Sequence, residues 1–436
     1  MLLSDYLREQ GTYISMDCGG QGFCGKCGVL VNGEFKLACK TDISELSKDF
    51  KVSAVQRQDI VHVIEQPMFP EYVIAIDIGT TTVAALLADS SGGVIKRVMK
   101  TNSTRVFGAD ILSRINMCEK FSDTICEMLR ADVLCCVNAL TGTCVKKIMA
   151  CGNTAVLSMF LNKNTYSLGK YPFDYDESLK SFNDVKIGGN TVTTAPCFGA
   201  FIGADSLFGA LYCFSEYDIY CNKIYIDIGT NCEILLQEGG KVYAASTPAG
   251  PAFEGGNISC GMPYGDGAVT DIKYNLYQGF TLTSVGNEEP RGLCGSAVFS
   301  LMPILSLYFA KDGVLAEDVQ LNDNITFTKE DFYNVLLAKA ALRAGIDALT
   351  QDIAVDKVYI AGNFLWNDEK DTVLENIFAV GILPRSFRDK VTIVGNASIA
   401  SALSMAMGKR YQSEMTEITL AKNQVFCENF IKHITI

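Results

Sequence analysis

Two segments of the chain follow the same pattern of apolar and polar positions. In the first, the apolar run at 73–76 leads into Asp77 and an Ile-Gly-Thr turn. In the second, residues 223–226 lead into Asp227 and another Ile-Gly-Thr turn. A second apolar segment follows each turn, VAALLAD in the first copy and CEILLQE in the second. Short apolar runs bounded by turn residues are typical of buried strands, so the sequence predicts a duplicated β-hairpin.

The two predicted turns have the chemistry of phosphate-binding loops. A strand, a tight Gly-Thr turn and a second strand place backbone N–H groups and hydroxyl groups around an anion. The aspartate before each turn can hold Mg²⁺ through water, because this ion gives up its hydration shell reluctantly. One such turn is a weak signal, whereas two facing turns would hold a nucleoside triphosphate from both sides. The predicted phosphate-binding residues are Gly79, Thr80, Thr81, Gly229, Thr230 and Asn231.

Three further apolar segments end in a Gly-Asn pair just before a predicted helix. These pairs are Gly152-Asn153, Gly362-Asn363 and Gly395-Asn396. Glycine permits close approach of a ligand, and asparagine caps a helix N-terminus, whose dipole favours an anion. For any single pair, an ordinary connection between a strand and a helix is the favoured interpretation. Three pairs together with two hairpins favour a nucleotide site.

Four cysteines near the N-terminus lie in and just after a glycine-rich loop, with the spacing C-x5-C-x2-C-x11-C. They are Cys18, Cys24, Cys27 and Cys39. The intervening glycines allow the backbone to approach an inorganic cluster and to point amide groups at its sulfurs. Four cysteines in this pattern are typical of a [2Fe–2S] site. A structural zinc site is the alternative, although zinc ribbons usually supply two C-x2-C pairs.

The amino-acid composition limits which binding partners and which cellular compartment the protein is expected to have. The chain has 436 residues, enough for two or three domains, and a net charge of −12, which argues against nucleic acid or an anionic membrane as partner. No apolar run is long enough to span a bilayer, and the N-terminus does not resemble a secretory signal. The 17 cysteines therefore predict a reducing, cytoplasmic environment, and two histidines are too few for histidine-based metal sites.

The N-terminal cysteine motif resembles the [2Fe–2S] ferredoxin fold, in a truncated form covering residues 1–50. After a linker at 51–70, the duplicated hairpins and Gly-Asn pairs resemble the actin/sugar-kinase/Hsp70 superfamily of ATPases. This resemblance implies an α/β fold of two ribonuclease H-like lobes, 71–217 and 218–436, that enclose ATP, with terminal helices able to pack back on the first lobe. It assigns 358–363 to the adenosine contact, and Gly152-Asn153 and Gly395-Asn396 to the connecting helices.

One family within that superfamily carries a ferredoxin module before the ATPase, namely the reductive activators of corrinoid proteins. The chain resembles it in FGADILSRI, ASTPAGPAFEGG, GLCGSA and AKAALRAGI, which lie at 107–115, 245–256, 292–297 and 338–346. The resemblance implies that one electron passes from a [2Fe–2S] cluster to Co(II) of a corrinoid protein and regenerates Co(I), with ATP hydrolysis driving the step. It also implies an upstream low-potential electron donor and leaves a homodimer open.

Several side chains are candidates for the chemistry of ATP cleavage. Asp77 and Asp227 are expected to position Mg²⁺ and water, and Glu254 either orients the attacking water or caps the next element. Arg291 and Arg343 either reach the nucleotide or form surface ion pairs. Asp110 and Arg114, four positions apart on a predicted helix, are interpreted as a helix salt bridge.

Three other functions fit part of the sequence. A small-molecule kinase of the same superfamily explains the hairpins but leaves the cysteine loop without a role. An electron carrier with a structural ATPase-like domain explains the cysteines but not the intact hairpins. A radical-type dehydratase activator is a third alternative, although that class shares a [4Fe–4S] cluster across a dimer and has no separate N-terminal loop of four cysteines.

Overall fold

The computed structural model describes residues 1–10, 28–54, 71–108, 110–140, 145–262, 265–351, 353–362 and 370–434. Its N-terminal part contains α1 (Leu3–Glu9), β1 (Gly28–Val31), β2 (Glu34–Leu37) and β3 (Val52–Ala54). The three strands form an antiparallel sheet in the order β2-β1-β3. Because β3 pairs with β1, this sheet extends to residue 54, past the boundary at residue 50 that the sequence predicted. The rest of the predicted linker lies outside the described residues.

A six-stranded sheet forms the first lobe, in the order β6-β5-β4-β7-β9-β8. Its strands are β4 (Tyr72–Ile78), β5 (Thr82–Asp89), β6 (Val94–Thr101), β7 (Lys147–Gly152), β8 (Asn183–Ile187) and β9 (Asn190–Thr194), and its helices are α2 (Ile111–Leu140), α3 (Thr154–Phe160) and α4 (Ala204–Phe214). Strand β4 is antiparallel to β5 and parallel to β7. Asp77 therefore lies near the end of a central strand, beside Cys151 of β7.

The second lobe is built around another six-stranded sheet. The strands of this half are β10 (Lys223–Ile228), β11 (Cys232–Glu238), β12 (Lys241–Thr247), β13 (Ala268–Asn275), β14 (Gly279–Ser284), β15 (Gly292–Leu293), β16 (Ala310–Lys311), β17 (Val314–Leu315), β18 (Val319–Gln320), β19 (Thr326–Phe327), β20 (Lys357–Ala361), β21 (Val391–Ile393) and β22 (Glu414–Glu417). Its helices are α5 (Gly295–Tyr308), α6 (Lys329–Thr350), α7 (Lys370–Val380), α8 (Ala397–Ala406) and α9 (Gln424–His433). The order of the main sheet is β21-β20-β10-β11-β12-β22, and β14-β13-β15 form a separate small sheet.

The two main sheets repeat one arrangement around their central strands. Strand β10 is antiparallel to β11 and parallel to β20, just as β4 is antiparallel to β5 and parallel to β7. The predicted duplicated hairpins are therefore confirmed, and Asp227 occupies in β10 the place that Asp77 occupies in β4. Both strands are almost wholly buried, which explains why they read as continuous apolar runs.

Residues of β10 divide between two hydrophobic cores, because alternate side chains of a strand face opposite sides of its sheet. Ile224 and Ile226 belong to the core of the second lobe, whereas Tyr225 belongs to the core that includes the first lobe. Fully burying an aliphatic side chain contributes about 1.5–3 kcal/mol, so both faces of β10 stabilise the fold. One face of the β10 sheet thus packs on the core of the second lobe, and the other face packs on the core that includes the first lobe.

The chain near its C-terminus connects the two lobes twice. After β21 in the second sheet, α8 packs against β4, β7 and α4 of the first lobe. The chain then returns, and β22 pairs in parallel with β12 at the edge of the second sheet. Where α4 and α8 meet, a Cβ atom on Gly209 would lie 3.3 Å from Cβ of Ala397. The backbones of the two helices come close at this crossing, so only glycine or another small residue fits there.

Candidate nucleotide site and iron–sulfur module

The first predicted turn is held tightly by its neighbours. The N–H of Gly79 donates to the carbonyl of Thr82 over 3.0 Å, and a Cβ atom on Gly79 would lie only 2.7 Å from that oxygen. Asn102 donates from Nδ2 to the carbonyl of Gly79 over 2.9 Å and from its backbone N–H to that of Thr81 over 3.0 Å. Glycine is therefore required at position 79, and the turn has a fixed shape.

Asp77 accepts two hydrogen bonds from the start of α8. Asn396 donates from Nδ2 to Oδ2 over 2.6 Å, and Ser398 donates from Oγ to Oδ1 over 2.9 Å. Burial raises the pKa of Asp77, although both hydrogen bonds act in the opposite direction. Asn396 also caps α8, because its Oδ1 accepts from the N–H of Ile399 over 2.8 Å. Gly395 precedes this cap, so the Gly395-Asn396 pair lies beside the first hairpin.

The pair Gly152-Asn153 also reaches the first hairpin. Asn153 caps α3 by accepting from the N–H of Val156 over 2.9 Å, and its Nδ2 donates to Oγ1 of Thr80 over 3.0 Å. A Cβ atom on Gly152 would lie 2.7 Å from the carbonyl oxygen of Ile78. Two of the three Gly-Asn pairs thus combine helix capping with contact to the predicted phosphate turn.

The second hairpin has its own set of partners. The hydroxyl of Tyr225 donates to Oδ2 of Asp227 over 3.2 Å, and Thr230 donates from Oγ1 to Oε2 of Glu254 over 2.8 Å. Burial raises the pKa of Asp227 to about 6. Glu254 is an exposed residue, yet the protein around its carboxyl group raises its pKa by desolvation, while the hydrogen bond from Thr230 acts in the opposite direction. Glu254 therefore contacts the second turn through the side chain of Thr230.

Asp205, which the sequence interpretation missed, is a buried carboxylate whose pKa is affected by the charges of both hairpin aspartates, Asp77 and Asp227. It stands in the first turn of α4 and accepts from the N–H of Ser206 over 2.8 Å. Burial is the main cause that raises the pKa of Asp205 to about 7, and the charges of Asp77 and Asp227 add to the shift. Such a value near neutral pH is typical of a general base. Gly203 before it packs on Asn153, since a Cβ atom there would lie 2.4 Å from Cα of Asn153.

Glu233 adds a further carboxylate, on β11 directly opposite Asp227 in the pairing register. Burial and the charges of Asp227 and Asp205 raise the pKa of Glu233 well above its ordinary value. Its Oε1 accepts from Oγ of Ser246 over 3.4 Å. The site thus concentrates carboxylates whose ionised forms repel one another, an environment that a cation or bound protons would stabilise.

The remaining predicted residues have varied positions. Gly362 follows β20, and Ala361 before it pairs with Asp227, so Gly362 lies beside the second hairpin, while Asn363 is outside the described residues. Arg291 is exposed and forms an ion pair with Glu288 over 3.5 Å. Arg343 forms an ion pair with Asp347 over 3.0 Å and also donates to the carbonyl of Gly381.

Cys39 is the one predicted cluster ligand that lies within the described residues, since Cys18, Cys24 and Cys27 fall outside them. Its side chain is 3% exposed and belongs to the small core of the N-terminal sheet. Gly28, which follows Cys27 in the sequence, pairs with Leu37, two residues before Cys39. The backbone that leaves the glycine-rich loop therefore starts beside the segment that carries Cys39.

Family models match the chain over nearly its whole length. Residues 1–54 match a 2Fe-2S iron-sulfur cluster binding domain, residues 72–214 the RACo middle region, and residues 222–310 and 309–436 the C-terminal domain of RACo, which is the ASKHA domain. The chain belongs to the family of reductive activators of corrinoid proteins. Its ferredoxin-like module and duplicated actin-like lobes are the expected parts of such an activator.

Individual relatives agree with this assignment of the activator. It is 28% identical over 422 residues to the corrinoid activation enzyme RamQ of Eubacterium limosum, covering 83% of this chain and 70% of the relative. It is 26% identical over 224 residues to a [Co(II) methylated amine-specific corrinoid protein] reductase of Methanosarcina barkeri, covering 46% of this chain and 41% of that protein. A solved reductive activator for a corrinoid iron-sulfur protein shares the fold, with a TM-score of 0.68, 24% identity and coverage of 85% of this chain and 67% of that one.

No helix within the part of the activator that the structure describes is long and apolar enough to cross a membrane.

Proposed function

We propose that this activator passes one electron from a [2Fe–2S] cluster to Co(II) of a corrinoid-binding protein, in a step driven by ATP hydrolysis, and so restores Co(I) for methyl transfer. The observation that carries this proposal is the fusion of a 2Fe-2S domain with two matching hairpins. The aspartates of these hairpins, Asp77 and Asp227, both raise the pKa of Asp205 through their charges. An electron carrier needs no ATP site, and a simple ATPase needs no iron–sulfur domain. Energy-coupled electron transfer accounts for both.

The cluster would be held by Cys18, Cys24, Cys27 and Cys39. When bound, it supplies a centre that accepts and releases one electron at a time. Cys39 fits this assignment, because it is buried in the core of the module and follows, by two residues, the Leu37 that pairs with the first residue of β1. Zinc would use the same four thiolates, so an analysis of bound metal separates the two possibilities.

Magnitudes support coupling to ATP. Plant-type [2Fe–2S] centres lie near −400 mV, and each 100 mV of potential difference for one electron corresponds to about 2.3 kcal/mol. A cobalt centre with a lower potential than the cluster therefore makes the transfer unfavourable by an amount that nucleotide hydrolysis can offset. Hydrolysis can do so only by favouring one conformation of the complex between activator and corrinoid protein.

Binding of ATP follows from the two hairpins and the residues around them. Backbone N–H and hydroxyl groups of the turns would bind the phosphates. The Gly-Asn pairs hold the surrounding helices in place through the contacts of Asn153 with Thr80 and of Asn396 with Asp77. The proposed nucleotide-binding residues are Gly79, Thr80, Thr81, Gly152, Asn153, Gly229, Thr230, Asn231, Gly362, Asn363, Gly395 and Asn396.

Hydrolysis is assigned to four carboxylates. Asp77 and Asp227 would hold Mg²⁺ through water; among the described residues, no group of three or more His, Cys, Asp and Glu side chains is arranged to hold a metal directly. Asp205 is proposed to accept the proton of the attacking water, since its pKa of about 7 suits a general base at neutral pH. Glu254, hydrogen-bonded to Thr230, is proposed to orient that water.

Closure of the two lobes is the proposed conformational step. Helices α4 and α8 cross at Gly209 and Ala397, and each begins beside a carboxylate of the site, Asp205 or Asp77. Hydrolysis of the bound ATP would therefore change the surroundings of the carboxylates at the start of both helices. Relative motion of two packed domains about such a crossing is a common way of coupling ligand binding to a partner surface.

The decisive experiment is anaerobic reduction of a purified Co(II) corrinoid protein. The activator is first reduced by a low-potential donor and then mixed with the corrinoid protein, with and without ATP. Appearance of the Co(I) absorption band only with ATP supports the proposal. Reduction without ATP would indicate the electron carrier, and transfer of phosphate to a small acceptor would indicate the kinase.

We further propose a cytoplasmic location and a low-potential ferredoxin or flavodoxin as donor.

A further inference from the structure

Arg114 of α2 is a buried cation directly behind the first phosphate turn. The residue has 0% exposure, although arginine side chains are seldom buried to this extent. Its Nη1 donates to the carbonyl of Thr80 over 2.5 Å, and its Nε donates to the carbonyl of Gly108 over 2.9 Å. A weaker contact of 3.4 Å joins Nη1 to Oγ1 of Thr104. The guanidinium group therefore contacts the turn through its backbone.

This contact fixes the direction of a peptide group. In a planar trans peptide the C=O and N–H bonds point in opposite directions. The peptide that joins Thr80 to Thr81 has its carbonyl turned towards Arg114, so the N–H of Thr81 points away from Arg114. The carbonyls of Gly79 and Thr81 are likewise turned towards Asn102. Among the described residues, no backbone carbonyl accepts from the N–H groups of Thr80 and Thr81.

A cation on the carbonyl also changes the strength of the N–H group. Hydrogen bonds in a chain polarise one another, by about 10–30% for each bond, and this effect is greatest at low dielectric. A guanidinium group donating to the carbonyl of Thr80 withdraws electrons from that peptide and makes the N–H of Thr81 a better donor to an anion. The positive charge itself also lies behind the turn, where water does not screen it.

The duplicated hairpin provides an internal comparison. In the second turn the carbonyl of Thr230, which corresponds to Thr80, accepts from the backbone N–H of Gly250 over 2.9 Å. That donor is neutral and fixes the peptide direction without adding charge. In both turns the carbonyl of the threonine accepts a hydrogen bond. In the described structure the donor is cationic at Thr80 and neutral at Thr230.

We propose that Arg114 is a positioning residue for nucleotide phosphates: it orients and polarises the peptide between Thr80 and Thr81, so that the first hairpin binds the polyphosphate more tightly than the second. The proposal rests on the proposed function, because it takes ATP as the ligand. Replacing Arg114 leaves the carbonyl groups of Thr80 and Gly108 without this donor, so some loss of stability is expected in every variant, whereas only the proposed role predicts a loss confined to phosphate binding. Loss of phosphate affinity can therefore be measured separately from loss of the fold.

The test compares binding of Mg-ATP and of adenosine to the full-length protein by calorimetry, in variants at position 114. Arg114→Gln keeps a neutral donor and removes the charge, whereas Arg114→Lys keeps the charge. Arg105→Met is the matched control, because Arg105 is exposed in the segment just before α2. We expect Arg114→Gln to bind Mg-ATP about tenfold more weakly, the effect of one charge-assisted hydrogen bond. Adenosine affinity should not change, and Arg114→Lys should recover part of the loss.

The outcomes separate this inference from the proposed function. Equal losses for Mg-ATP and adenosine in Arg114→Gln would mean a structural role and overturn the inference, as would Mg-ATP affinity equal to that of the wild type. If Arg114→Gln does not fold, Arg114→Lys must bind Mg-ATP more tightly, relative to adenosine, than an Arg114→Met variant, or the inference fails. A wild-type protein that binds no Mg-ATP would instead remove the proposed function itself.

Discussion

Asn396 donates a hydrogen bond of 2.6 Å to Asp77, although 319 positions separate the two residues in the sequence. The same asparagine caps α8, so one side chain fixes both the start of a helix and the carboxylate of the first hairpin. The orientation of Asp77 therefore depends on a segment near the C-terminus. This dependence leads to a first prediction about stability.

Replacing Asn396 by alanine should lower the free energy of unfolding by about 1–3 kcal/mol, since a helix cap and a hydrogen bond to a carboxylate are lost together. Ser398→Ala removes only a hydrogen bond to Asp77 and should cost less. Asn423→Ala is a matched control, because Asn423 caps α9 in the same way. Denaturant titration measures all three; equal losses for Asn396→Ala and Asn423→Ala would contradict the role of Asn396 at Asp77.

A second prediction concerns pH and Asp205. Its pKa is about 7 in the folded protein, compared with a usual value of 3.8. Between these values the folded state holds a proton that the unfolded state has lost, so stability falls as pH rises from about 4 to 7. Thermal unfolding of the nucleotide-free protein should show this decline, and Asp205→Asn should reduce it. An unchanged pH dependence in that variant would exclude a raised pKa at Asp205.

The same group should control ATP turnover. As a base, Asp205 acts only when ionised, so turnover should rise through neutral pH, and Asp205→Asn should lower it by roughly 100-fold or more. The rate of phosphate release, measured at saturating ATP between pH 6 and 8, checks this expectation. Glu254→Gln is the comparison: a larger loss there than in Asp205→Asn would assign the base to Glu254 instead.

Tyr225→Phe provides a third prediction, because it removes one oxygen atom and keeps the ring in the core. Its hydroxyl donates to Asp227 and favours the ionised carboxylate. Without this bond the pKa of Asp227 should rise above about 6, and the acidic limb of the pH–turnover profile should move to higher pH. Asp227→Ala, in contrast, should abolish turnover. A profile identical to that of the wild type would show that Tyr225 has only a packing role.

A fourth prediction separates the two modules. Cys24→Ser and Cys39→Ser should each lose iron, visible colour and cobalt reduction, while ATP hydrolysis continues, because the hairpins do not depend on the cysteines. Cys427→Ser, at an exposed cysteine of α9, is the control and should retain iron. Iron and acid-labile sulfide are measured after anaerobic purification. Zinc in place of iron in the wild-type protein would refute the electron-transfer function.

Much of the site could be predicted because it is encoded locally. The repeated strand and turn predict Asp77 and Asp227 as candidates, and the position of Asn153 and Asn396 before a helix predicts the caps that the structure shows. A cap and a tight turn each involve only a few consecutive residues. Short motifs likewise indicate the activator family, and they lie within the segments that the family models match.

Asp205 and the contact of Arg114 could not be found in this way, because both depend on tertiary structure. The only local signal for Asp205 is its place after Gly203 in the first turn of a helix, which is a common site for an acidic residue. Its relation to Asp77 and Asp227 appears only when the strands are assembled. Asp110 accepts from Ser113 at the start of α2, and the spacing of Asp110 and Arg114 gave no sign that Arg114 reaches Thr80.

The double crossing of the chain near its C-terminus also bears on how the protein unfolds. Strand β22 completes the second sheet only after α8 has packed on the first lobe, so neither half is a single continuous stretch of sequence. A protease that cuts between α8 and β22 would therefore leave the short C-terminal fragment bound to the second lobe, through the pairing of β22 with β12 and the packing of α9 on α6. Both lobes should therefore melt in one cooperative transition, which sets them apart from independently folding domains joined by a tether.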